Sequence, residues 1–467
     1  MKILLTHGYF LNDDPKEKII MKPYAPLGIL YIAAYLERKG FSNHVYDTTF
    51  STMLDLEKHL IDYKPDILAI YVNLMTKINV LKILNFAKTK LSDCKVILGG
   101  PEIRYNAKEF LDFGADFLVI GEGEETTFEL VKALNEKRHN GLANISGIAF
   151  KDQNGEIIFT SERDKIKDID CLPFPDRYKI NLNLYLKSWK KAHGENAISI
   201  STMRGCPYTC KWCSRAVYGL SYRRRSPQNV CAEIELIQKE YNPDTLWFVD
   251  DVFTISHKWL NEFNDVLKKT NLKIKFECIT RADRMNDEVI KTLKESGCFR
   301  VWIGAESGSQ KVIDLMDRRV DVNQVREIIR LAQNYGIQAG TFIMLGYPGE
   351  TEDDIEETIK HLKEANPELF TITIAYPIKG TELFAEVEAD QTFNFDWSVN
   401  SDRERDFKRT YSKKYYDYAV RRVTNEVNFY KLLVSRNLFT KKIFLYKIKS
   451  IAAKIAMTYF RLSGTIL

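Results

Sequence analysis

The sequence predicts an α/β protein with a doubly wound, Rossmann-like N-terminal domain, a partial (β/α)6 barrel and a helical C-terminal tail. Two successive series of apolar strands, separated by helix patterns, predict the two α/β domains. Only helix patterns follow residue 410, and they predict the tail. The 467 residues, of which 45% are hydrophobic, suffice for two or three domains with a sizeable core.

The first series of strands lies in residues 1–140. Short apolar runs predict strands over residues 2–6, 43–47, 66–72, 95–98 and 116–120. Helix patterns separate these runs, such as the apolar repeat of residues 27–36, which ends before Gly40. Strands that are apolar throughout and alternate with helices are typical of a parallel sheet covered on both faces. The ligand of such a domain binds at the carboxyl ends of the strands.

A hairpin and an interdomain linker are expected in residues 141–190. Asn154-Gly155 lies between two short apolar runs, and this dipeptide is typical of a tight hairpin turn. Residues 172–176 contain two prolines and cannot form a helix or a central strand. We therefore expect the linker over about residues 161–190.

The second series occupies residues 191–400. Its strands are expected over residues 197–203, 245–249, 273–277, 300–304, 338–345 and 369–376. Helix patterns cover residues 228–240, 256–269, 286–296, 322–335 and 351–365. About six β/α units predict a partial barrel, with its chemistry at the carboxyl ends of the strands.

The net charge of +5 conceals a basic tail in residues 401–467. The tail has sixteen Lys and Arg against five Asp and Glu, so it carries +11 and the rest of the chain −6. Within residues 443–461 one helical face is basic and another is apolar. The basic residues are Lys447, Lys454 and Arg461, and the apolar ones are Ile448, Ile451, Ile455 and Tyr459. This pattern predicts an amphipathic basic helix.

Two interpretations of the basic helix remain open. It could contact an anionic membrane, which would suggest a lipid-linked substrate, or it could pack on the barrel with its lysines in water. We favour the second interpretation. A basic tail also suits an acidic partner, but no nucleic-acid recognition motif accompanies it, so no nucleic acid is expected.

The sequence indicates a cytoplasmic protein, or one attached to the membrane surface through its tail. Its first residues do not read as a cleavable signal, and no run of about 18 uncharged apolar residues is present. Eight cysteines in a chain of this length do not resemble a disulfide framework. A metal or redox role for some of them fits better.

Three cysteines follow the strand of residues 197–203 directly. Cys206, Cys210 and Cys213 form a C-x3-C-x2-C pattern in a loop at the carboxyl end of that strand. Structural zinc takes four ligands, but the next cysteine, Cys231, lies inside a predicted helix and no histidine is well spaced. Three thiolates on one loop suit a [4Fe–4S] cluster with one open iron. Zinc and incidental buried cysteines are the alternatives.

This loop, with Trp212 just before the third cysteine, resembles the cluster loop of the radical S-adenosylmethionine (SAM) enzymes. The resemblance implies a partial (β/α)6 barrel and a cluster whose open iron binds SAM. It also implies anaerobic reductive cleavage of SAM into methionine and a 5′-deoxyadenosyl radical, with an electron donor of the flavodoxin or ferredoxin type. Trp212 would shield the cluster beside SAM.

Residues at successive strand ends agree with the SAM site of that family. The resemblance places the carboxylates of Asp250 and Asp251 near the SAM ammonium group, although both could simply cap the strand end. It assigns Arg281 to the SAM carboxylate and Glu306 to the ribose hydroxyls. Gly346 would lie near the adenine.

A doubly wound domain before such a barrel resembles the cobalamin-binding class of radical SAM enzymes. The residues that carry this resemblance are Gly28 within 25–34, Gly99 and Gly100, and Gly121 with Glu122. Gly99, Gly100 and Gly121 follow strands, where backbone must approach a large flat ligand. Many cobalamin domains carry D-x-H-x-x-G, but here the second strand ends in Asp47-Thr48. Cobalamin could bind without a histidine, or the domain could be a relic.

The resemblance implies methylation of an unactivated carbon of a small or lipid-linked biosynthetic intermediate. A cobalamin-dependent oxidative cyclase or rearrangement enzyme is the first alternative. A methylthiotransferase follows, although only Cys94 and Cys171 could serve a second N-terminal cluster. A non-catalytic cobalamin sensor is the last alternative. No catalytic residue is assigned, since Cys278 and Cys298 are interpreted as ordinary buried cysteines rather than reactive thiols.

Overall fold

The computed structural model describes residues 1–137, 139–388, 396–435 and 441–463. The chain divides into two compact units. The first comprises residues 1–207, 214–246 and 395–402, and the second comprises residues 208–213, 247–394 and 403–467.

The first unit is built on a seven-stranded sheet. Its strands are β1 (Ile3–His7), β2 (Asn43–Tyr46), β3 (Ile67–Tyr71), β4 (Lys95–Gly99), β5 (Phe117–Val119), β6 (Ile148–Lys151) and β7 (Ile157–Phe159). Their order is β2-β1-β3-β4-β5-β6-β7. Strands β1 to β5 are parallel, which confirms the predicted doubly wound sheet.

Helices cover both faces of this sheet. The short helix α1 (Pro15–Ile20) precedes them and has no buried residue. The covering helices are α2 (Leu27–Arg38), α3 (Met53–Tyr63), α4 (Lys77–Lys90), α5 (Ala107–Asp112) and α6 (Gly123–Asn135). Successive strand residues point to opposite faces, so Leu68 and Ile67 belong to two separate apolar cores. Leu30 and Ala33 of α2 pack into the same core as Ile67, because their helical spacing places them on one face.

The hairpin β6–β7 extends the first sheet instead of standing apart from it. β6 pairs with β5 in antiparallel register, so Phe117 lies opposite Phe150. The segment predicted as linker contains a further helix, α7 (Leu182–His193). Its buried residues Leu182, Tyr185, Leu186 and Trp189 follow a helical repeat that the surrounding lysines obscure in the sequence.

A second, six-stranded sheet confirms the predicted partial barrel. Its strands are β8 (Ala197–Ile200), β11 (Thr245–Phe248), β12 (Phe276–Thr280), β13 (Cys298–Glu306), β14 (Gln338–Leu345) and β15 (Leu369–Ile374), in the order β15-β14-β13-β12-β11-β8. Two short strands, β9 (Met203–Arg204) and β10 (Arg223–Arg224), form a separate ribbon. Strand β12 begins three residues later than predicted, where the alternating lysines end and the side chains become buried.

Helices alternate with the strands of this sheet. They are α8 (Pro227–Tyr241), α9 (His257–Thr270), α10 (Asp287–Glu295), α11 (Gln310–Leu315), α12 (Val322–Asn334), α13 (Glu352–Ala365) and α14 (Glu382–Val387). The two short helices α11 and α14 were not predicted, and the other five lie close to the predicted positions. Polar N-cap residues determine where several of these helices begin. The Ser226 hydroxyl accepts from the Asn229 amide at the start of α8, for example.

The tail forms two helices, α15 (Lys413–Val434) and α16 (Lys441–Ser463). They pack against each other, and α15 packs on α13. The interpretation that the lysines of α16 lie in water is wrong for Lys447 and Lys454, which pair with glutamates of α15 and α13. In the part of the chain that the structure describes, no helix is both long and apolar enough to cross a membrane.

Candidate cofactor sites

The part of the cysteine loop that belongs to the second unit, residues 208–213, is held by its backbone and by Trp212. The Lys211 amide donates to the Met316 carbonyl at 3.2 Å, and the Leu383 amide donates to the Lys211 carbonyl at 2.9 Å. Trp212 packs on the apolar cluster that contains Met316 and Leu383. Trp212 therefore fixes the position of the loop between Cys210 and Cys213.

Two buried arginines surround the sulfur of Cys210. Nη1 of Arg318 lies 3.6 Å from the Cys210 Sγ, and Nη1 of Arg281 lies 3.8 Å from it. Arg281 is 1% exposed and its guanidinium stacks on the Tyr208 ring at 3.8 Å. Both guanidinium groups donate to this sulfur, as outer hydrogen-bond donors do to the cysteine ligands of iron–sulfur clusters. This donor set fits the predicted cluster.

Arg281 occupies its predicted strand end, but its other donors are engaged within the protein. Its Nε donates to Asp283 at 2.8 Å and its Nη2 donates to the Arg318 carbonyl at 2.9 Å. Arg318 was not predicted, because it lies in the polar run after α11 and no motif marks it. Only its burial beside Cys210 distinguishes it from its exposed neighbour Arg319.

The first cysteine, Cys206, lies in the first unit at the end of the β9–β10 ribbon. It forms a bridge with Leu220, and the ribbon pairs Arg204 with Arg223. Gly205 has φ +82°, and a Cβ there would lie 2.3 Å from the Ser221 Oγ, so only glycine fits. Cys206 is half-buried and Cys213 is exposed. Within the described residues, no three His, Cys, Asp or Glu side chains are grouped to hold a single metal ion.

The arginines after the cysteine loop have structural partners in the first unit. Nη1 of Arg223 donates to Oε2 of Glu122 at 2.6 Å, and Nη1 of Arg204 donates to Oε1 of Glu122 at 2.8 Å. Arg225 pairs with the fully buried Glu233. Glu122, predicted to contact cobalamin, thus uses its two carboxylate oxygens to hold the two strands of the ribbon.

Glu122→Gln is expected to destabilise the first unit by about 2–3 kcal/mol, because it leaves two largely buried guanidinium groups with one charged partner fewer. The side chain of Glu122 is only 5% exposed. Thermal unfolding followed by circular dichroism measures the effect. Glu262→Gln, which breaks an exposed pair with Lys258, serves as the control and should leave the unfolding temperature nearly unchanged. Equal unfolding temperatures for the two variants would contradict the prediction.

The residues predicted to bind SAM occupy the expected strand ends. Asp250 is buried and Asp251 is exposed after β11. Glu306 ends β13 with φ +63°, and its Oε1 lies 3.8 Å from Nη2 of Arg318. Loss of solvation raises the pKa of Glu306, and Arg318 opposes this. Arg318 therefore connects Cys210 and Arg281, which are buried, with the half-buried Glu306.

Gly346 follows β14 and has φ +81°, in the region that favours glycine. Its amide donates to Oε2 of Glu350 at 2.6 Å. Glu350 is fully buried, and its Oε1 has no hydrogen-bond partner among the described residues. Burial raises the pKa of Glu350 to about 8, despite the hydrogen bond from Gly346. Glu350 was not predicted as a site residue.

The raised pKa of Glu350 is expected to make the protein less stable as the pH rises. The folded state holds a proton that the unfolded state releases near pH 4.5, so stability falls from that pH until the folded pKa of about 8. Glu350→Gln should remove up to about 4 kcal/mol of this loss. Urea unfolding between about pH 5 and about pH 9 tests it. The same pH slope in the parent, in Glu350→Gln and in the exposed control Glu357→Gln would refute it.

A cavity of about 270 Å³ opens at the carboxyl ends of the strands in the first unit. All five residues predicted to contact cobalamin line it, namely Gly28, Gly99, Gly100, Gly121 and Glu122. Tyr71, Arg204 and Tyr218 line it as well, although no sequence motif marks them.

The glycines give the cavity its shape. A Cβ at Gly100, where φ is +116°, would lie 2.3 Å from the Val72 carbonyl oxygen. At Gly28, in the first turn of α2, the nearest atom to an added Cβ is 3.9 Å away on the Tyr71 ring. Gly28 is therefore not required by the fold, and its missing side chain leaves room in the cavity. This is the arrangement that a bound flat ligand needs.

No histidine lines this cavity among the described residues. His7, at the end of β1, has both ring nitrogens engaged: the Tyr9 amide donates to Nδ1 at 3.1 Å, and Nε2 contacts Oδ1 of Asp47 at 3.0 Å. The hydroxyl of Tyr185 donates to the other oxygen of Asp47 at 2.7 Å. The motif D-x-H-x-x-G would place its cobalt-ligating histidine after the second strand, close to Asp47. Here Asp47 is instead hydrogen-bonded to His7 and Tyr185 within the protein.

The remaining cysteines show no feature of a cofactor site. Cys278 and Cys298 are buried, as predicted, and Cys231 is buried as well. Burial raises the pKa of Cys278 well above its usual value, so it remains a thiol at neutral pH. Cys94 is buried and Cys171 is exposed in the first unit.

Two family models match the chain. The model described as the radical SAM superfamily covers residues 200–362, and the B12 binding domain covers residues 21–131. An uncharacterised methyltransferase of Pyrococcus horikoshii is 30% identical over 82% of this chain and 82% of its own length. The anaerobic magnesium-protoporphyrin IX monomethyl ester cyclase of Rubrivivax gelatinosus is 25% identical over 85% of this chain and 72% of its own.

Solved structures share the fold. The radical SAM methyltransferase TsrM from Kitasatospora setae, with cobalamin and a [4Fe–4S] cluster bound, has a TM-score of 0.69 at 17% identity and covers 83% of this chain and 74% of its own. The cobalamin-dependent radical SAM enzyme OxsB, with aqua-cobalamin bound, has a TM-score of 0.74 at 16% identity. It covers 98% of this chain and 72% of its own.

Proposed function

Because the chain belongs to the radical SAM enzymes with a cobalamin-binding domain, we propose that it methylates an unactivated carbon of a small or lipid-linked molecule. The chain is an enzyme whose cofactors are a [4Fe–4S] cluster, SAM and cobalamin. Together these cofactors supply a hydrogen-abstracting radical and a transferable methyl group. The protein's own residues bind them and set their electrostatic environment.

In this proposal Cys206, Cys210 and Cys213 are the three cluster ligands. The open iron is left to SAM, because the loop offers no fourth cysteine. Arg318 and Arg281 donate to the Cys210 sulfur at 3.6 and 3.8 Å. Such hydrogen bonds to a ligating sulfur tune the potential at which the cluster accepts an electron. The electron would come from a donor of the flavodoxin or ferredoxin type.

We assign SAM to the strand ends of the second unit. The carboxylates of Asp250 and Asp251 would accept from its ammonium group. Glu306 would accept from the ribose hydroxyls, and Gly346 would lie along the adenine. Arg281 is already engaged with Asp283 and Arg318, so it would contact the SAM carboxylate only by giving up one of these partners.

Cobalamin would lie over the glycine-lined cavity of the first unit. Gly28 and Gly100 leave the backbone free for close approach, and Tyr71 and Tyr218 offer apolar faces. Glu122 would act indirectly, because its carboxylate positions Arg204 in the cavity wall. Among the described residues no histidine lines this cavity, so a cobalamin held there would have no histidine ligand from it.

The observation that supports methylation best is the 30% identical relative from Pyrococcus horikoshii, which is named a methyltransferase. The test is product analysis with the reconstituted enzyme, SAM and candidate substrates under anaerobic conditions. Methyl transfer requires both 5′-deoxyadenosine and S-adenosylhomocysteine, in equal amounts per methylated product. 5′-Deoxyadenosine without S-adenosylhomocysteine would reject methylation.

Oxidative cyclisation or rearrangement is the second candidate, because the Rubrivivax gelatinosus cyclase matches 85% of this chain. It predicts 5′-deoxyadenosine without a methylated product. A methylthiotransferase would add sulfur to its product, which mass spectrometry detects. A cobalamin sensor would bind both cofactors and never cleave SAM.

A further inference from the structure

The helix α16 presents an apolar face to solvent. Its buried side consists of Ile443, Ser450, Ala453 and Met457. The opposite side carries large apolar residues that are 47–69% exposed. They are Phe444, Leu445, Ile448, Ile451, Ile455, Tyr459 and Leu462. We call this set the α16 face. Contiguous exposed apolar surface of this kind marks a contact with a partner or a membrane.

Ion pairs with the rest of the second unit hold the α16 face outward. Nζ of Lys454 lies 2.9 Å from Oε1 of Glu356, and Nη1 of Arg461 lies 2.6 Å from Oε2 of Glu352. Lys447 pairs with Glu426 of α15 at 3.2 Å. These three cations lie on one flank of the helix, so the helix cannot turn its apolar side inward without breaking the pairs.

A cationic cleft borders the α16 face on its other flank. Tyr418, Arg421 and Asn425 of α15, with Lys449, Ala452 and Ala453 of α16, line a cavity of about 400 Å³. Arg421 and Lys449 are exposed, and no carboxylate of the described residues lies within ion-pair distance of either. Lys441 and Lys442 add exposed positive charge at the start of the helix. α16 contains no Asp or Glu.

We propose that the α16 face docks on an anionic phospholipid bilayer, with a headgroup phosphate in the cleft between Arg421 and Lys449. An apolar helix face bordered by lysines is the arrangement that lies in the plane of a membrane interface. Basic side chains there gain energy from anionic lipid. Ile448, Ile451 and Ile455 enter the acyl boundary, and Tyr459 lies at headgroup level.

Charge argues for a bilayer over a second copy of this chain. A twofold pairing of α16 faces would bring together two helices that each carry Lys441, Lys442 and Lys449, with no acidic residue in either helix to offset this charge. An anionic lipid surface complements the same charges. The α16 face includes no residue of the cofactor sites. A failure of vesicle binding would therefore leave the proposed SAM chemistry intact, and a failure of SAM cleavage would leave the membrane proposal intact.

The experiment is co-sedimentation of the full chain with vesicles of phosphatidylcholine alone or with phosphatidylglycerol. Binding is expected to anionic vesicles and to weaken as salt rises. Ile448→Asp with Ile455→Asp should lower the partition coefficient more than about tenfold. The matched control is Ile19→Asp with Leu54→Asp, two residues exposed at 85% and 75% elsewhere on the chain, and it should bind like the parent.

A second variant tests the cleft. Arg421→Gln with Lys449→Gln should lower binding to anionic vesicles about 25-fold and leave binding to neutral vesicles unchanged, since each basic residue near the surface contributes about fivefold. Unchanged binding in this variant would overturn the headgroup site. Unchanged binding in the Ile448 and Ile455 variant would overturn the membrane face. Sedimentation velocity tests the alternative of a second copy. If the parent is a dimer that does not bind vesicles, and the Ile448 and Ile455 variant is a monomer, the α16 face is an interface between two copies.

Discussion

Cys210→Ala is expected to abolish the [4Fe–4S] cluster and, with it, the cleavage of SAM. Iron should fall from about four atoms per chain to near zero after anaerobic reconstitution. 5′-Deoxyadenosine formation should fall at least about a thousandfold, because the electron no longer reaches SAM. Cys206→Ala and Cys213→Ala should have the same effect, since a cluster left with two thiolates is not retained.

The matched control is Cys171→Ala, which removes an exposed cysteine outside the C-x3-C-x2-C loop. It should keep the iron content and the activity of the parent. Cys210→Ala also removes the acceptor of two buried arginines, so circular dichroism must show a folded chain before the iron content is interpreted. A folded Cys210→Ala protein with about four irons would refute the ligand assignment.

Gly28→Leu is expected to block the cobalamin cavity without unfolding the domain. The new side chain would project beside the Tyr71 ring into a cavity of about 270 Å³. Overpacking of this kind costs about 1–3 kcal/mol, so cobalamin affinity should fall about tenfold or more. Absorbance of cobalamin that stays with the protein after desalting measures the loss.

Gly28→Ala distinguishes an effect on the cavity from an effect on the stability of α2. An alanine Cβ keeps 3.9 Å to the nearest ring atom, and alanine favours a helix over glycine by about 0.5–1 kcal/mol. This variant should unfold at a slightly higher temperature and retain most of the cobalamin. If Gly28→Leu retains as much cobalamin as Gly28→Ala, the cofactor does not use this cavity.

Most helices and strands of the fold were predictable, because the burial of one face makes apolar residues recur at a regular spacing in the sequence. The apolar runs before Gly99 and Gly121 predicted strands, and Gly100 and Gly121 do adopt positive φ at their carboxyl ends. The helix α7 was not predicted, since its apolar positions alternate with lysines in a segment that follows two prolines. The hairpin was predicted, but the sequence could not show that it continues the first sheet.

The site was predictable where chemistry depends on residue type and spacing. Cys206, Cys210 and Cys213 predicted the cluster because three thiolates on one loop suit an iron–sulfur centre. Arg318 could not be predicted, because it lies 108 residues from Cys210 and nothing in its neighbourhood differs from an exposed basic loop. The role of Glu122 was predicted as cofactor contact, whereas the structure pairs it with Arg204 and Arg223.

The sequence by itself determined the order of the domains, the cluster loop and the glycine-lined strand ends, since each follows from local pattern. Only the tertiary structure decided which charges meet. Lys454 and Glu352 are 102 positions apart, and their pairing turns the apolar side of α16 to solvent. The periodicity of α16 shows two faces but not which one lies on the protein, because that choice depends on the distant side chains that each face meets.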